Sequence, residues 1–250
     1  MARGKKLNLA ERIAYRILKF TDIENITLRR AVRDFAQTVP QKARILDAAA
    51  GLKPYEELFN HCQYESCDFG DAQEFYGNLE DGTRENISER HTYVCPIEKI
   101  PVADETFDFV LCTQVLEHVP DPLAAAIEMR RVLKRSGKLF LTVPQGYGIH
   151  GEPYNFFYFT KFGVDLILSK AGFKVINTTE RGGYFYYLFD RVANAIPRIV
   201  TGYKQMSLMM LALSPIHIIL AYIIGPTLLI LEPLDREKRF TLGYVSIAQK

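Results

Sequence analysis

The sequence predicts an α/β fold in which a mostly parallel sheet is covered by helices on both faces. Short apolar runs rich in β-branched and aromatic residues alternate along the chain with segments whose apolar residues recur at helical spacing. The chain has 250 residues and is 48% hydrophobic. This is enough to bury the core of one such fold, and the length does not require a second catalytic domain.

The order of the predicted elements follows from this alternation. Two N-terminal helices are predicted at about residues 8–20 and 26–38, and three more at 55–59, 121–137 and 160–171. Asp121 is expected to cap the fourth helix, with Pro122 in its first turn and Gly137 at its end. Its inward face is expected to carry Leu123, Ile127 and Val132. The seven predicted strands are 44–47, 64–68, 93–97, 107–113, 138–143, 173–178 and 240–248.

Composition and charge restrict the class of protein. The net charge of +2 argues against a nucleic-acid partner, although residues 1–44 hold eleven basic and four acidic residues. This basic segment is interpreted either as a solvated face or as a surface attracted to an anionic membrane or polyanion. The four cysteines show no CxxC spacing, so we expect reduced thiols, no disulfides and no metal site. No signal-peptide core follows the basic start, which favours a cytoplasmic location.

The loop after the first predicted strand combines one acid with very small residues. In residues 45–51 an apolar run ends at Asp47 and continues through three alanines to Gly51. Small side chains let a ligand approach the backbone closely, while a carboxylate can face a cationic group. The loop therefore predicts a ligand site next to strand one.

A second ligand-binding pattern follows the fourth strand. The run 107–113 leads into Gln114, Val115 and then Leu116-Glu117-His118. Ligands of open α/β sheets bind beyond the carboxyl ends of the strands, where the strand order reverses. The two loops are therefore expected to flank one site.

Together these segments resemble class I S-adenosylmethionine-dependent methyltransferases, in the type 11-like branch. That branch has an acid, a small residue and Gly, then Lys-Pro-Tyr, and later Leu-Glu-His. The matching positions are Asp47, Ala49, Gly51, Lys53-Pro54-Tyr55 and Leu116-Glu117-His118. The resemblance covers about residues 42–180 and the closing strand. It implies a Rossmann-like seven-stranded sheet and S-adenosyl-L-methionine as cofactor, whereas the nicotinamide motif G-x-G-x-x-G is matched poorly.

The resemblance assigns donor-binding roles to strand-end residues. Asp47 would serve the amino-acid end of the donor, directly or through water, and Asp68 would accept both ribose hydroxyls. Each has a simpler interpretation, as a helix cap or an ordinary loop residue. The full predicted donor set is Asp47, Ala49, Gly51, Asp68, Ile97, Glu98, Gln114 and Val115.

Two positions depart from the pattern of the resembled family. Ala49 stands where that family usually has Gly, and it fits this loop without strain only if its φ is negative. Pro96 stands near a position where an Asp is common, and it removes both a carboxylate and an amide donor.

The acceptor side is predicted to lie in the aromatic loop 145–160. The loop resembles the His, Pro-Tyr-Asp and aromatic-Arg-aromatic-Thr stretch of the same branch, with Asn155 and Tyr158 in place of Asp and Arg. Aromatic walls with a few polar groups suit a small-molecule or sugar pocket. The candidate catalytic bases are His150 and His118, and the candidate substrate-binding residues are Tyr154 and Phe157. Both histidines also have a purely structural interpretation.

An uncharged apolar segment at 205–231 precedes the last strand. It has the length of one membrane span, but the last strand must return to the sheet, and Pro215 and Pro226 divide the segment. We therefore expect an in-plane membrane contact, a lid over an apolar substrate or a protein interface. The predicted organisation is N-terminal helices 1–40, methyltransferase core 41–182, hydrophobic helical insert 183–238 and final core strand 239–250.

The resemblance implies a methyltransferase, and together with the apolar segment it predicts transfer of a methyl group to a small-molecule, glycan or lipid-linked acceptor. The enzyme would act in the cytoplasm or peripherally on the cytoplasmic face of a membrane. The sequence is also compatible with assembly into a homo-oligomer. Because Ala49 and Pro96 depart from the family pattern, the alternative is a catalytically silent, methyltransferase-like membrane-associated binding or scaffold protein.

Overall fold

The computed structural model describes residues 22–69, 90–196, 212–213 and 215–250. The predicted helix at 8–20 and residues 205–211 and 214 of the apolar segment lie outside this part. The chain forms two compact units. The first contains Arg29–Glu180 and Gly243–Lys250, and the second contains Arg181–Leu242 together with the segment that ends at Leu28.

A seven-stranded sheet forms the centre of the first unit, in the order β3-β2-β1-β4-β5-β7-β6. Strand β7 is antiparallel to both of its neighbours, and the remaining pairs are parallel. The predicted Rossmann-like, mostly parallel sheet is therefore confirmed. The strands are β1 Arg44–Ala48, β2 Gln63–Asp68, β3 Tyr93–Val94, β4 Phe107–Thr113, β5 Leu133–Pro144, β6 Lys174–Glu180 and β7 Gly243–Gln249.

Three helices accompany this sheet: α1 Ile23–Ala36, α2 Pro122–Val132 and α3 Lys161–Lys170. Asp121 caps α2 as predicted, because its Oδ1 accepts hydrogen bonds from the backbone N–H groups of Leu123 and Ala124. Thr160 caps α3 in the same way, through the backbone N–H of Gly163 at 3.1 Å. Short 3-10 helices at Glu56–Phe59 and Leu116–His118 follow β1 and β4.

The core of the first unit lies on both faces of the sheet. On one face, the ring of Phe35 from α1 contacts the rings of Phe109 in β4 and Phe140 in β5. On the other face, the neighbouring strand residues Val110 and Leu139 belong to a buried cluster. This cluster also includes Met129 of α2 and Leu168 of α3. Since successive strand residues point to opposite faces, both faces carry helices.

Several predicted element boundaries are wrong. Strand β3 ends at Val94, three residues earlier than predicted, and the non-donating Pro96 follows soon after it. Helix α2 ends at Val132, and β5 begins at the next residue, so Gly137 lies inside a strand. Here a Cβ atom would approach the carbonyl oxygen of Lys134 to 2.8 Å, so Gly137 allows close packing of backbone.

The inward face of α2 also differs from the predicted one. Ile127 was expected to face the core, but 51% of it is exposed, while the adjacent Ala125, Ala126 and Met129 are buried. The core side of the helix is therefore formed largely by small side chains, which let the helix approach the sheet closely. The last strand begins at Gly243, not at Phe240, which is exposed.

The second unit contains α4 Tyr184–Ala193, a π-helical segment Ile219–Ile224 and α5 Gly225–Ile230. Its small core consists of Ile23, Phe189, Ala193, Ala221 and Leu242. At Gly225 a Cβ atom would lie 2.2 Å from the Phe189 ring, so only glycine allows this close packing.

A buried arginine ties the start of α1 into the second unit. Arg181 is 4% exposed and donates to the backbone carbonyl of Glu24 and to Thr27 Oγ1 at 3.0 and 2.9 Å. It also forms an ion pair with the Glu24 carboxylate. Burial raises the pKa of Glu24 although Arg181 opposes this shift. The pair is therefore a structural contact within the second unit.

Many apolar side chains of the second unit are exposed. They include Ile216, Ile218, Ile219, Ile223, Ile230, Leu231, Leu234 and Phe240. Within the described ranges, none of the helices has both the length and the apolar character needed to cross a membrane.

Candidate functional site

The candidate site lies at the carboxyl ends of β1, β2 and β4. The strand order reverses between β1 and β4, which are direct neighbours in the sheet. Asp47 and Asp68 lie at or near the ends of β1 and β2, and Gln114 directly follows β4. The predicted donor residues of three strands therefore reach the same edge of the sheet.

Asp47 is almost completely buried at this edge, with 1% exposure. Its Oδ2 accepts a hydrogen bond of 2.6 Å from the Tyr64 hydroxyl. Burial raises the pKa of Asp47 to about 7; the Tyr64 hydrogen bond opposes the rise, and the nearby Asp68 charge adds to it. Asp47 can therefore change its protonation state near neutral pH when a cationic group approaches.

Asp68 holds the small-residue loop against the end of β2. Its Oδ2 accepts a 2.6 Å hydrogen bond from the backbone N–H of Gly51, and its Oδ1 accepts one of 2.8 Å from Phe69. Burial raises the pKa of Asp68, while these two hydrogen bonds oppose the shift. A carboxylate oxygen can accept more than one hydrogen bond, so this geometry retains acceptor capacity for a diol.

The loop between these acids has left-handed backbone at several positions. Gly51 has φ of 55°, which suits glycine, but Ala49 also has φ of 55° and Lys53 has φ of 52°. The negative φ that would make alanine unstrained at position 49 is therefore not present. Ala49 stores local backbone strain, since this conformation costs a non-glycine residue about 1–2 kcal/mol.

The other predicted donor residues lie near this edge in different surroundings. Gln114 has φ of 53°, and its side-chain Nε2 donates to Thr142 Oγ1 of β5 at 3.1 Å. Val115 and Ile97 are buried and belong to the core cluster, while Glu98 is half-buried. Contacts of these residues with a donor stay predictions.

The aromatic loop packs on the end of the Leu116–His118 turn. The backbone N–H groups of Phe156 and Phe157 both point to the carbonyl oxygen of Glu117, at 2.8 and 3.3 Å. Nδ1 of His118 donates to the Tyr154 carbonyl at 2.6 Å. The structure thus brings the candidate substrate-binding residues Tyr154 and Phe157 next to His118.

The two candidate catalytic histidines are in contact. The His118 and His150 rings have centroids 4.7 Å apart and an interplanar angle of 88°. His150 Nδ1 donates to the Gly148 carbonyl at 2.9 Å. Burial lowers the pKa of His118, and the neighbouring His150 lowers it further. A neutral His118 can accept a proton or a cation at Nε2.

Some residues of the site were not identified from the sequence. Tyr64 supports Asp47, and Thr142 orients Gln114. His91 Nδ1 lies 3.1 Å from Ser66 Oγ, and the Asp68 charge partly offsets the lowering of the His91 pKa by burial. Period-2 alternation places Tyr64 on the same face as Ser66, the register partner of Asp47. The proximity of Tyr64 to Asp47 can therefore be recognised only when the strand register is known.

The chain matches known methyltransferases in sequence and fold. Residues 55–141 match the family model of a methyltransferase domain. A proposed sarcosine dimethylglycine methyltransferase from Galdieria sulphuraria has a TM-score of 0.52 and 16% identity, over 89% of this chain and 82% of that one. The chain therefore shares the fold of class I methyltransferases.

Two further proteins with methyltransferase names are similar to this chain. Phosphoethanolamine N-methyltransferase 2 of Haemonchus contortus, solved with S-adenosyl-L-methionine, has a TM-score of 0.50 and 17% identity over 88% of this chain and 51% of that one. An uncharacterized methyltransferase of Schizosaccharomyces pombe is 34% identical over 87 residues, which are 35% of this chain and 28% of the relative. The chain thus spans under a third of that relative's length.

A shorter match lies within a small part of the methyltransferase fold. Ubiquinone biosynthesis O-methyltransferase of Xanthomonas oryzae pv. oryzae is 54% identical over 37 residues, which are 15% of this chain and 16% of that protein. A match of this length carries no information about the acceptor of this chain. The recognised resemblance to the methyltransferase fold is confirmed, whereas the site residues are carried forward as proposals.

Proposed function

We propose that this protein is an S-adenosyl-L-methionine-dependent methyltransferase. The observation that carries the proposal is the hydrogen bond from Gly51 to Asp68 beside the buried Asp47, at the point where the strand order reverses. This arrangement provides a close backbone approach, an acceptor for a diol and an acid for a cationic amino group in one place. The methyltransferase-domain match over 55–141 supports the same activity.

The donor binds in this proposal along the edge formed by β1, β2 and β4. The Asp68 carboxylate accepts the two ribose hydroxyls, and Asp47 takes the α-amino group, directly or through water. Ile97 and Glu98 border the adenine, while Gln114 and Val115 line the side that carries the methyl group. The S-adenosyl-L-methionine bound to the Haemonchus contortus enzyme supports this choice of donor.

The acceptor in this proposal meets the donor methyl group beside the aromatic loop. In this proposal Tyr154 and Phe157 supply the aromatic side chains that contact the acceptor. His118, which donates to the Tyr154 backbone carbonyl, and the adjacent His150 supply the polar groups. An acceptor that is already nucleophilic needs only alignment with the methyl group. A hydroxyl acceptor also needs to lose a proton, and the two imidazoles are the candidate bases.

We further propose that the acceptor is amphiphilic or lipid-linked and that the protein contacts a membrane peripherally. The support is the set of exposed apolar side chains in the second unit, among which Ile230 is 75% exposed and Leu234 72%. Covering such side chains with lipid or a partner is favourable, because each Å² of apolar surface removed from water contributes about 25 cal/mol of free energy.

Calorimetric titration with S-adenosyl-L-methionine and S-adenosylhomocysteine tests the donor site. The parent protein should bind both, and Asp68→Ala should weaken binding about ten- to a hundredfold, because it removes charge-assisted hydrogen bonds worth roughly 1.5–3 kcal/mol. Asp104→Ala is the matched control, since Asp104 is an exposed acid that pairs with Arg131 on the surface. A folded parent that binds neither compound would contradict the proposal and favour the silent binding or scaffold protein.

A further inference from the structure

We propose that Glu117, His118 and His150 form a binding site for one divalent first-row transition-metal ion. One carboxylate oxygen and one nitrogen from each imidazole lie within 4.8 Å of one another. The site offers two imidazole nitrogens and one carboxylate oxygen. Zinc and non-haem iron sites use this combination of ligands and leave further coordination positions open. The sequence shows no metal-ligand spacing, because the ligands come from the short helix Leu116–His118 and from a loop about thirty residues later.

The hydrogen bonds of the histidines orient them as ligands. His118 Nδ1 donates to the Tyr154 carbonyl at 2.6 Å, and His150 Nδ1 donates to the Gly148 carbonyl at 2.9 Å. A carbonyl oxygen can only accept, so in both rings Nδ1 carries a proton, and in the neutral tautomer Nε2 offers its lone pair to a metal ion. Metal-binding histidines usually have this second hydrogen bond, which fixes both the tautomer and the ring orientation.

Glu117 places a carboxyl group beside these rings. The glutamate is 1% exposed, and its Oε1 lies 3.9 Å from Nε2 of His118. In such surroundings with a low local dielectric constant, the attraction between a carboxylate and a divalent ion is strong. Because Glu117 belongs to the short helix Leu116–His118 and its carbonyl accepts from the aromatic loop, its backbone position is fixed.

To bind a metal ion, the ligand atoms need to move only a short distance, and a loop can make this movement. Bond lengths of about 2.0–2.2 Å place the ligand atoms of a tetrahedral site about 3.4 Å apart, so the present set must contract by about 1.4 Å at its widest. His150 lies outside regular secondary structure, so its loop backbone can make this movement while the Nδ1 hydrogen bond to the Gly148 carbonyl is kept.

The bound ion would serve the acceptor, and this role rests on the proposed methyltransferase function. Three protein ligands leave positions for an oxygen atom of the acceptor, and coordination lowers the pKa of a hydroxyl. Its proton leaves to solvent water. The oxygen–methyl bond then forms as the sulfur–methyl bond of the donor breaks, and S-adenosylhomocysteine is the leaving product. In this form of the reaction the imidazoles are ligands and not bases.

Cobalt(II) titration of the full chain, purified without a histidine tag and treated with a chelator, tests the site. We expect one Co²⁺ per chain, visible absorption bands of a nitrogen- and oxygen-ligated ion, and competition by Zn²⁺. His150→Ala and Glu117→Gln should each raise the Kd at least tenfold. His61→Ala is the control and should bind as the parent does, because His61 contacts the Val39 carbonyl elsewhere in the first unit.

Circular dichroism shows whether each variant is folded, and donor calorimetry on the same samples separates the two proposals. Binding of less than one ion at 100-fold molar excess, or an equal Kd in parent, His150→Ala and folded Glu117→Gln, would overturn the metal site. Donor binding that persists in that case leaves the methyltransferase proposal standing. Specific metal binding without donor binding would support the metal site and remove its proposed role in methyl transfer.

Discussion

The backbone N–H of Gly51 donates a 2.6 Å hydrogen bond to the carboxylate of Asp68. This bond joins the loop after β1 to the end of β2, so the small-residue loop and the proposed ribose ligand form one unit. The geometry of the loop and the affinity for the donor are therefore expected to change together when either residue is replaced.

Gly51→Val should abolish donor binding while the fold is retained. A valine at φ of 55° is strained, and its side chain would occupy the space that the donor needs beside the backbone. Calorimetry with S-adenosylhomocysteine measures the loss, with circular dichroism as the check on folding. Gly148→Val is the control, since a Cβ atom there meets no atom within 4 Å. Parent-like affinity in Gly51→Val would contradict the close-approach argument.

Ala49→Gly should stabilise the protein by about 1 kcal/mol. Glycine removes the cost of left-handed backbone at φ of 55°, although it adds some conformational entropy to the unfolded chain. Urea denaturation measures the change. Ala50→Gly is the matched control, because Ala50 is outside the left-handed region and the substitution should destabilise by roughly 0.5–1 kcal/mol. An equal loss in both variants would mean that Ala49 is not strained.

Asp47 should make the stability of the ligand-free protein depend on pH. Its pKa in the folded state is raised from 3.8 to about 7, so the folded state favours the protonated form. The contribution to the free energy of unfolding is complete below pH 4 and is lost as the pH rises to about 7. The Asp47→Asn variant cannot ionise at this position, so its stability relative to the parent should rise across pH 5–7 by up to roughly 1.4 kcal/mol per pH unit.

Urea denaturation of both proteins at pH 5, 6, 7 and 8 provides this comparison. A constant difference between Asp47→Asn and the parent across the series would show that Asp47 ionises with an ordinary pKa. The isosteric replacement keeps an oxygen that can accept from Tyr64, so the comparison isolates the charge.

Tyr64→Phe should move the pH dependence of donor binding to higher pH. The Tyr64 hydroxyl donates to Asp47 and favours its ionised form, so removing it raises the pKa of Asp47 further. If the ionised Asp47 binds the donor amino group, donor affinity at pH 7 falls and recovers at more alkaline pH. Calorimetry between pH 6 and 8.5 measures this, and an unchanged profile would separate Asp47 from donor binding.

The sequence predicts the parts of the fold that local patterns determine. Strand β4 was predicted with its observed bounds, Phe107–Thr113, because a continuous buried run ends there in polar residues. Asp121 was likewise identified as a cap from its position before Pro122. Such patterns depend only on residues that are neighbours in sequence, so they can be recognised without knowledge of tertiary contacts.

The features that were missed depend on contacts between distant segments. Gly137 has the local pattern of a helix end, but it lies in β5, where its neighbours leave no space for a Cβ atom. The contact of Tyr64 with Asp47 depends on strand register, and that of Glu117 and His118 with His150 depends on how two loops pack together. Neither register nor loop packing can be read from one sequence.

The exposed apolar side chains of the second unit should hold the protein on a membrane without crossing it. Ile230 and Leu234 are 75% and 72% exposed, and burial of each in lipid is worth roughly 1.5–3 kcal/mol. The double variant Ile230→Ser and Leu234→Ser should therefore lower liposome partitioning by at least tenfold. The control, Ile149→Ser with Phe162→Ser, replaces equally exposed apolar residues of the first unit and should float like the parent. A parent that stays entirely in solution as a monomer, with and without anionic lipid, would remove the membrane contact and with it the main reason for proposing a lipid-linked acceptor.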